Sequence, residues 1–197
     1  MNSSTKEKIK GAALTLFARK GYEGTTMNEI SASVGIKKAS LYAHFKGKEE
    51  LFFSVYEDLA KEYIDLMARI IKDADSMNVE GKLYYMFGQY INYYINNPER
   101  QAFWNQITLF TPADMHDKIF SHAGNYDLIV QQWIEKTFTQ GINQGLIRNG
   151  DARKMTAAYR AFREGLLNGM IVSSELKNKE NIKLLWEYFW FGIKGRE

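Results

Sequence analysis

Apolar residues recur every three or four positions along most of the chain, which is the spacing of a helix that buries one face. These stripes predict a first helix over residues 4–20, a long helix over 48–71, and later helices around 83–94, 98–110, 126–138, 155–170 and 182–189. No segment alternates for long between apolar and polar positions, as a half-buried strand does. The pattern therefore predicts an all-α protein of about nine helices.

Residues 26–45 predict two short helices joined by a tight turn. Thr26 and Glu29 have the spacing of a capping box, in which the threonine hydroxyl accepts from a free amide and the carboxylate accepts from the N–H of the cap residue. A helix should therefore begin at Met27. Gly35 can adopt the left-handed conformation that ends this helix and turns the chain.

The second helix of this motif is predicted to have one buried and one open face. Leu41 and Phe45 lie four positions apart and should point towards the core. The opposite face begins with the basic Lys38 and the short Ala39 and Ser40, which would allow close approach to base edges in the major groove of DNA. Two short helices with such a face are typical of a DNA-binding helix-turn-helix.

This region resembles the DNA-binding domain of the tetracycline-repressor (TetR) family of bacterial transcriptional regulators. The resemblance extends from Ile9 to about Tyr56 and rests on many residues at fixed spacing, including Ala12, Ala13, Leu16, Phe17, Gly21, Tyr22, Thr25, Thr26, Met27, Glu29, Ile30, Val34, Gly35, Leu41, Tyr42, His44, Phe45, Lys46, Lys48, Glu49, Glu50 and Leu51. Two positions depart from the family: Lys37 stands where a capping serine or threonine is usual, and Gly47 where serine is common. Because lysine is a poor cap, the second helix is expected to fray slightly without DNA.

The resemblance implies an N-terminal three-helix head, residues 1–47, that binds DNA, and a larger helical body, residues 48–197, that binds a ligand and forms a dimer. Charge agrees with this division: residues 1–50 carry nine Lys or Arg against five Asp or Glu, whereas the rest of the chain has a net charge of −1. A basic excess is expected at an end that faces polyanionic DNA. Only four aromatic residues lie before residue 51, so the body is the part that can enclose apolar volume.

The residues predicted to contact DNA lie on and around the second helix of the motif: Thr26, Lys37, Lys38, Ala39, Ser40, Tyr42, His44 and Lys48. The Lys38 amine and the Ser40 hydroxyl can form hydrogen bonds with base edges. The resemblance implies phosphate contacts for Tyr42 and His44, although His44 could equally pack against the first helix. Lys48, at the start of the long helix, would hold a phosphate together with free backbone amides, or be an ordinary exposed lysine.

The resemblance also implies that the body binds a small molecule, which changes the separation of the two heads of a dimer. An apolar or aromatic effector suits the aromatic-rich body. Its candidate lining is Tyr63, Phe87, Tyr90, Tyr94, Phe103, Trp104, Phe110, Tyr126 and Trp133. The alternative is that these aromatic residues form only the core. Arg160 and Arg163 could face an acidic ligand or solvent.

A homodimer is predicted through the last two helices, which pair into a four-helix interface in proteins of this family. The candidate interface residues are Gly165, Gly169, Trp186, Phe189 and Trp190. The glycines permit close approach of helices, and the aromatic residues supply apolar bulk. A monomer would instead bury the tryptophans in its own core. Two heads related by a twofold axis would read half-sites roughly 34 to 36 Å apart.

Together these features predict a ligand-responsive repressor of a near-palindromic operator, with no cofactor and no metal. An enzyme is disfavoured because the chain has no cysteine, three scattered histidines and no glycine-rich phosphate loop. His116 and His122 with Asp114 and Asp117 could suggest a metal site, but a polar connector fits their loop better. An activator, a nucleoid-associated DNA binder and a helical protein–protein adaptor with a vestigial head are the alternatives. The polar N-terminus and the lack of a run of about 18 apolar residues favour a soluble, cytoplasmic protein with no membrane contact.

Overall fold

The computed structural model describes residues 4–110, 118–119 and 126–195. For Tyr126 it describes the backbone alone. Within these residues the chain forms nine α-helices and one 3-10 turn, and strand pairing is limited to a bridge between Ile147 and Lys194. The helices are α1 (Thr5–Lys20), α2 (Met27–Val34), α3 (Lys38–His44), α4 (Lys48–Ala74), α5 (Val79–Asn96), α6 (Pro98–Phe110), α7 (Tyr126–Asn143), α8 (Ala152–Val172) and α9 (Lys179–Ile193), with the 3-10 turn at Ser174–Lys177. The prediction of an all-α fold is confirmed.

Side chains cap several of these helices at their first turn. Ser4 accepts a hydrogen bond from an amide at the start of α1, and Asp151 accepts from two amides at the start of α8. α1 ends at Gly21, whose φ is 70° and whose N–H donates to the Phe17 carbonyl. These contacts satisfy amide and carbonyl groups that a helix end leaves unpaired.

The described residues of 1–64 and 97–124 form one compact unit. Its core takes side chains from α1 to α3, the first part of α4, and α6, among them Ile9, Phe17, Ile30, Leu41, Leu51 and Phe103, each at most 1% exposed. α6 packs along α1, where the Thr15 hydroxyl donates to the Glu99 carboxylate (3.1 Å). α6 therefore belongs to the same packed unit as the N-terminal helices.

This first unit is larger than the head predicted from the sequence. The divisions between the units fall inside α4, after Ile64, and again after Asn96 and after Gly124. A packed unit and a functional domain are different divisions, so the DNA-binding head of residues 1–47 stays a prediction. Side chains beyond residue 47, such as Phe52 and Phe103, belong to the same core as those of the predicted head.

The described residues of 65–96 and 125–197 form the second compact unit. Its core is rich in aromatic side chains: Phe87, Phe138, Tyr159 and Trp186 are at most 3% exposed. The Tyr159 hydroxyl donates to the Leu83 carbonyl (2.8 Å), so its polar atom is satisfied inside the core. Burial raises the pKa of this hydroxyl, which therefore stays neutral.

None of the helices in the described ranges is long and apolar enough to cross a membrane. Over the same residues, no three acidic or histidine side chains come together in a way that could hold a metal ion. The alternative metal site of His116, His122, Asp114 and Asp117 lies outside the described residues. It therefore stays a hypothesis.

Candidate nucleic-acid interface

The predicted capping box is present at the start of α2. Thr26 Oγ1 accepts from the N–H of Glu29 (3.2 Å), and Glu29 Oε2 accepts from the N–H of Thr26 (2.9 Å). Lys20, on α1, donates to Oε1 of the same carboxylate (2.5 Å). The Lys20 ammonium and then the Thr26 donors lower the pKa of Glu29 to about 2, so the carboxylate is charged at neutral pH. The box fixes the residue at which α2 begins.

The turn between α2 and α3 is built on Gly35. Its φ of 72° and ψ of 29° are left-handed, and the N–H of the following Ile36 donates to the Ser31 carbonyl (3.0 Å). Because this conformation strains most other residues, glycine is favoured here. Lys37 is the N-cap of α3, and within the described residues its side chain makes no capping bond. Lys37 therefore leaves the start of α3 without a side-chain cap, and the fraying of α3 in the absence of DNA stays a prediction.

α3 presents most of the predicted contact residues on an open face. Leu41 and Phe45 are at most 2% exposed and hold the helix against the core. The Lys38 amine lies 5.8 Å from the centre of the Tyr42 ring, so a cation and an amphipathic ring stand side by side. His44 is exposed, which disfavours the alternative that it packs against the first helix. The exposed side chains are Lys37, Lys38, Ala39, Ser40, Tyr42 and His44, and together they define the α3 face.

The two remaining predicted residues, Thr26 and Lys48, lie beside the α3 face. Thr26 is exposed, but its hydroxyl is engaged in the capping box. Lys48 is half-buried, and its amine donates to the Tyr22 carbonyl (2.8 Å) and lies 4.2 Å from the centre of the Tyr22 ring. The Lys48 amine is therefore turned towards the loop between α1 and α2.

Sequence reasoning missed one basic residue next to this face. The amine of Lys6, on α1, lies 5.3 Å from the centre of the Phe45 ring, just after the end of α3. It adds a positive charge beside the α3 face. Because these two residues are far apart in the chain, no local spacing could indicate their contact, and the only signal was the basic composition of the first helix.

The residues predicted to line an effector pocket are divided between the two units. In the first unit, Phe103 lies in the core, and Trp104 packs against Tyr56 with ring centres 5.5 Å apart. Tyr63 is half-buried in the same unit. Phe110, the last residue of α6, is 68% exposed. Core packing, the alternative to a pocket, therefore accounts for Phe103.

The remaining candidates lie in the second unit. Phe87, Tyr90 and Tyr94 are buried, and Trp133 is half-buried. The side chain of Tyr126 lies outside the described residues. Because Phe87 has no exposed surface, core packing accounts for it as well, whereas the pocket role of the others stays a prediction.

A fully buried cation, Arg163, lies among these aromatic residues with 1% of its surface exposed. Its guanidinium carbon lies 3.5 Å from the centre of the Tyr90 ring, and its Nη2 lies 3.3 Å from Glu164 Oε1. The Tyr90 hydroxyl donates to the same oxygen (2.6 Å). A buried cation needs such neighbours to offset its loss of hydration. The alternative that Arg163 faces solvent is therefore wrong, whereas Arg160 is partly exposed and pairs with Asp127.

An open groove of about 570 Å³ lies on the second unit, along α7 and the start of α8. Polar and charged side chains, including Gln131, Gln132, Glu135 and Arg153, form much of its lining. None of the described aromatic candidates lines it. The groove therefore differs in character from the apolar pocket predicted for an effector.

Trp186 departs from its predicted role at a dimer interface. It is 3% exposed, and its ring centre lies 5.4 Å from that of Phe87 and 6.4 Å from that of Tyr159. Phe189 and Trp190 are half-buried beside it. Trp186 therefore belongs to the core of its own chain and offers little surface to a second copy.

The exposed surface of α8 and α9 carries other apolar residues instead. A Cβ at Gly165 would meet nothing within 4 Å, whereas a Cβ at Gly169 would lie 2.8 Å from Leu176 Cδ1, so that the end of the leucine side chain would have to shift. The large exposed apolar residues are Leu184, Tyr188 and Phe191 on α9 (47, 68 and 82% exposed) and Ile171 and Val172 at the end of α8 (63 and 91%). The three on α9 recur at helical spacing and define an apolar α9 face.

Two short helices joined by a glycine turn, with an exposed basic face on the second helix, define a helix-turn-helix protein. Residues 9–55 match the family model described as "Bacterial regulatory proteins, tetR family". Residues 9–55 therefore belong to the TetR family of bacterial regulatory proteins.

The sequence is similar to staphylococcal regulators over part of its length. The biofilm operon icaADBC HTH-type negative transcriptional regulator IcaR of Staphylococcus epidermidis is 43% identical over 82 residues, which cover 42% of this chain and 43% of that protein. IcaR of Staphylococcus aureus (strain Newman) is 50% identical over 66 residues, which cover 34% of this chain and 33% of that protein. The chain therefore spans less than half the length of the curated relatives it matches.

Solved structures share the fold over nearly the whole chain. The ketosteroid transcriptional regulator KstR2 of Mycobacterium tuberculosis is 18% identical with a TM-score of 0.78, covering 100% of this chain and 98% of that one. AibR in complex with isovaleryl coenzyme A and operator DNA is 20% identical with a TM-score of 0.70, covering 95% of this chain and 96% of that one. At such identities the likeness establishes the fold alone.

Proposed function

We propose that this chain is a transcriptional repressor that binds a near-palindromic operator as a homodimer and is released by a small-molecule effector. The observation that carries the proposal is the α3 face, which exposes basic and short side chains. Leu41 and Phe45 are buried on the opposite side and anchor the helix to the core. Such a face fits the major groove because its leading side chains do not block close approach. In this proposal residues 1–47 are the DNA-binding head and residues 48–197 the body.

Five of the predicted contact residues take three roles in this proposal. Lys38 and Ser40 hydrogen-bond base edges, because lysine and hydroxyl groups fit the donors and acceptors of the major groove. Tyr42 and His44 contact phosphate oxygens and set the orientation of the head. Thr26 approaches the sugar-phosphate edge from the start of α2. The basic excess of the head supplies the attraction to DNA that does not depend on sequence.

Negative regulation is the direction we propose, because IcaR, the relative 43% identical over 82 residues, is a negative transcriptional regulator by name. An activator or a nucleoid-associated protein would bind DNA through the same α3 face. These two alternatives therefore differ from a repressor in where their binding sites lie on the DNA and not in the contacts they make with it. A protein that binds operator DNA works in the cytoplasm of a bacterium, which is the location we propose.

The effector is proposed to be an apolar or aromatic small molecule bound by the body. Buried aromatic residues of the second unit, such as Tyr90 and Tyr94, support an apolar ligand. A small-molecule effector as such is supported by AibR, which shares the fold and has been solved with isovaleryl coenzyme A and operator DNA, a ligand whose acyl group is apolar and whose coenzyme A part is charged. An effector that weakens operator binding tenfold must favour the non-binding arrangement by about 1.4 kcal/mol. Operator DNA must then weaken effector binding by the same factor.

The homodimer is proposed to form through the apolar α9 face and the neighbouring exposed surface of α8. Phe191→Glu should convert the dimer to a monomer, because a twofold interface would bury the new charge twice without a partner. Light scattering would measure the change. Leu109→Glu is the control, since Leu109 is also exposed (65%) but lies on α6, and that variant should stay dimeric. A wild-type protein that is monomeric at low and high salt would contradict the proposal.

Selection of bound fragments from the source genome tests the proposed function as a whole. The selected fragments should share a near-palindrome with half-sites roughly 34 to 36 Å apart, and binding should weaken steeply as salt rises. A protein that selects no sequence and shows no salt-dependent DNA binding would favour the adaptor alternative.

A further inference from the structure

Arg163 places a positive charge inside the second unit. It lies on α8, and only 1% of its surface is exposed. A charge loses its hydration on burial, and a buried ion pair often contributes no more to stability than apolar side chains of similar volume. Folding alone therefore gives little reason for a cation at this position, whereas a ligand of opposite charge would give one.

Two donors converge here on one carboxylate oxygen. Arg163 Nη2 lies 3.3 Å from Glu164 Oε1, and the Tyr90 hydroxyl donates to the same oxygen (2.6 Å). The Tyr90 ring lies against the guanidinium, with its centre 3.5 Å from the guanidinium carbon. A guanidinium and a hydroxyl directed at one oxygen are a combination that binds carboxylates well. The Glu164 side chain therefore marks the position that a carboxylate takes between Arg163 and Tyr90.

Glu164 is suited to give up this position. Its side chain is 50% exposed, whereas that of Arg163 is 2% exposed, so the carboxylate stands at the border between core and solvent. An ion pair with a partner that is half in water contributes little free energy. Glu164 can therefore turn out into solvent at small cost when another carboxylate takes its place.

The neighbouring side chains favour an apolar body for such a ligand. Tyr90 packs against Tyr94 with ring centres 4.9 Å apart, and the two residues are 6% and 5% exposed. Tyr93 packs against Tyr94 at the same separation. Aromatic rings beside a charged group provide apolar contact area next to a polar anchor.

We propose that Arg163 and Tyr90 bind the carboxylate of the effector, an acid with an apolar or aromatic body, in exchange for the side chain of Glu164. The inference rests on the proposed function for the role of this acid as an effector. It narrows the proposed apolar or aromatic molecule to one that carries a carboxylate.

The first test uses acetate as a probe of the carboxylate position. Glu164→Ala removes the internal carboxylate and leaves the two donors in place. Acetate, exchanged for chloride at constant ionic strength, should raise the melting temperature of this variant by about 2 °C or more. The double variant Glu164→Ala with Arg163→Met should not respond. No response in Glu164→Ala, or the same response in both variants, would overturn the inference.

The second test compares acids with neutral analogues of the same shape. Octanoate, phenylacetate and cinnamate should each bind about ten- to a hundredfold more tightly than their primary amides, the scale of lost charge-assisted hydrogen bonds. Isothermal titration calorimetry measures both. Arg163→Met should lose the preference for acids. The matched control is Arg160→Met, one turn earlier on α8, where the arginine pairs with Asp127, and it should keep the preference.

Glu164→Gln keeps the fold testable if Arg163→Met does not fold. It removes the charge that competes with the ligand, so it should bind the acids more tightly than the wild type does. Acids and amides that bind the wild type equally well, or no binding of any acid by the wild type and Glu164→Gln, would overturn the inference.

Release of operator DNA separates this inference from the proposed function. Acids that bind should release an operator fragment from the wild type in a gel shift, and their amides should not. A wild-type protein that binds no DNA would defeat the proposed function, with calorimetry still deciding whether Arg163 binds a carboxylate. A protein that binds DNA but shows no preference for acids would defeat the inference alone.

Discussion

Replacing Lys38 and Tyr42 together by alanine is expected to abolish the gel shift of an operator fragment. Both side chains stand on the α3 face, and each lost contact to a base edge or phosphate costs about 1 to 3 kcal/mol. Because a twofold dimer makes each contact twice, affinity should fall by roughly a hundredfold or more. Circular dichroism should show unchanged helicity, since neither side chain belongs to the core that holds Leu41 and Phe45.

The control for this variant is Lys72→Ala, which removes one positive charge from an exposed position in the last turn of α4. Lys72 is remote from the α3 face in sequence and lies in the second unit, so its loss should leave the gel shift in place. If the variant with alanine at 38 and 42 bound operator as tightly as the wild type, the assignment of the α3 face as the DNA-reading surface would be wrong.

Phe103→Ala is expected to destabilise the protein by about 3 to 5 kcal/mol. Phe103 has no exposed surface, and its ring centre lies 5.6 Å from that of Phe52 in the core that also contains Ile9 and Leu41. Removing the ring leaves a cavity next to the helices that carry the α3 face, so operator binding should be lost at a lower temperature than in the wild type. Urea denaturation followed by circular dichroism measures the change in the free energy of unfolding.

Phe110→Ala is the matched control on the same helix. Phe110 is 68% exposed, so its removal should change the free energy of unfolding by no more than about 0.5 kcal/mol. Phe103 and Phe110 were both candidates for an effector pocket. A Phe103→Ala protein that was as stable as the wild type but no longer responded to an effector would show that the ring lines a pocket and does not support the core.

The helix-turn-helix could be predicted from the sequence because its determinants are local. The capping box needs Thr26 and Glu29 three positions apart, and the turn needs a residue that tolerates positive φ at Gly35. The buried side of α3 follows from Leu41 and Phe45 at helical spacing. Each of these features depends on residues that lie within about one helical turn of each other in the sequence. Their spacing alone therefore determines the local structure, without contacts to distant parts of the chain.

The partners of the helices could not be predicted in the same way. An apolar stripe shows that a helix buries one face, but the stripe is the same whether that face meets its own chain, a ligand or a second copy. The spacing therefore predicts a pocket for Phe103 and an interface for Trp186, whereas the structure places both in cores. The contact of Lys48 with Tyr22 and that of Lys6 with Phe45 join residues far apart in the chain, for which spacing carries no information.

The first unit is assembled from two stretches of chain, with residues 65–96 between them belonging to the second unit. A hybrid regulator made by exchanging residues 1–47 with those of a relative would therefore keep Phe52 and Phe103 of the recipient beneath a foreign set of helices. New operator preferences are easier to obtain by changing the exposed side chains of α3, because we propose that they contact DNA and they do not belong to the core. For a regulator built in this way, recombination at the apparent domain border is a poorer route to new specificity than substitution at a few surface positions.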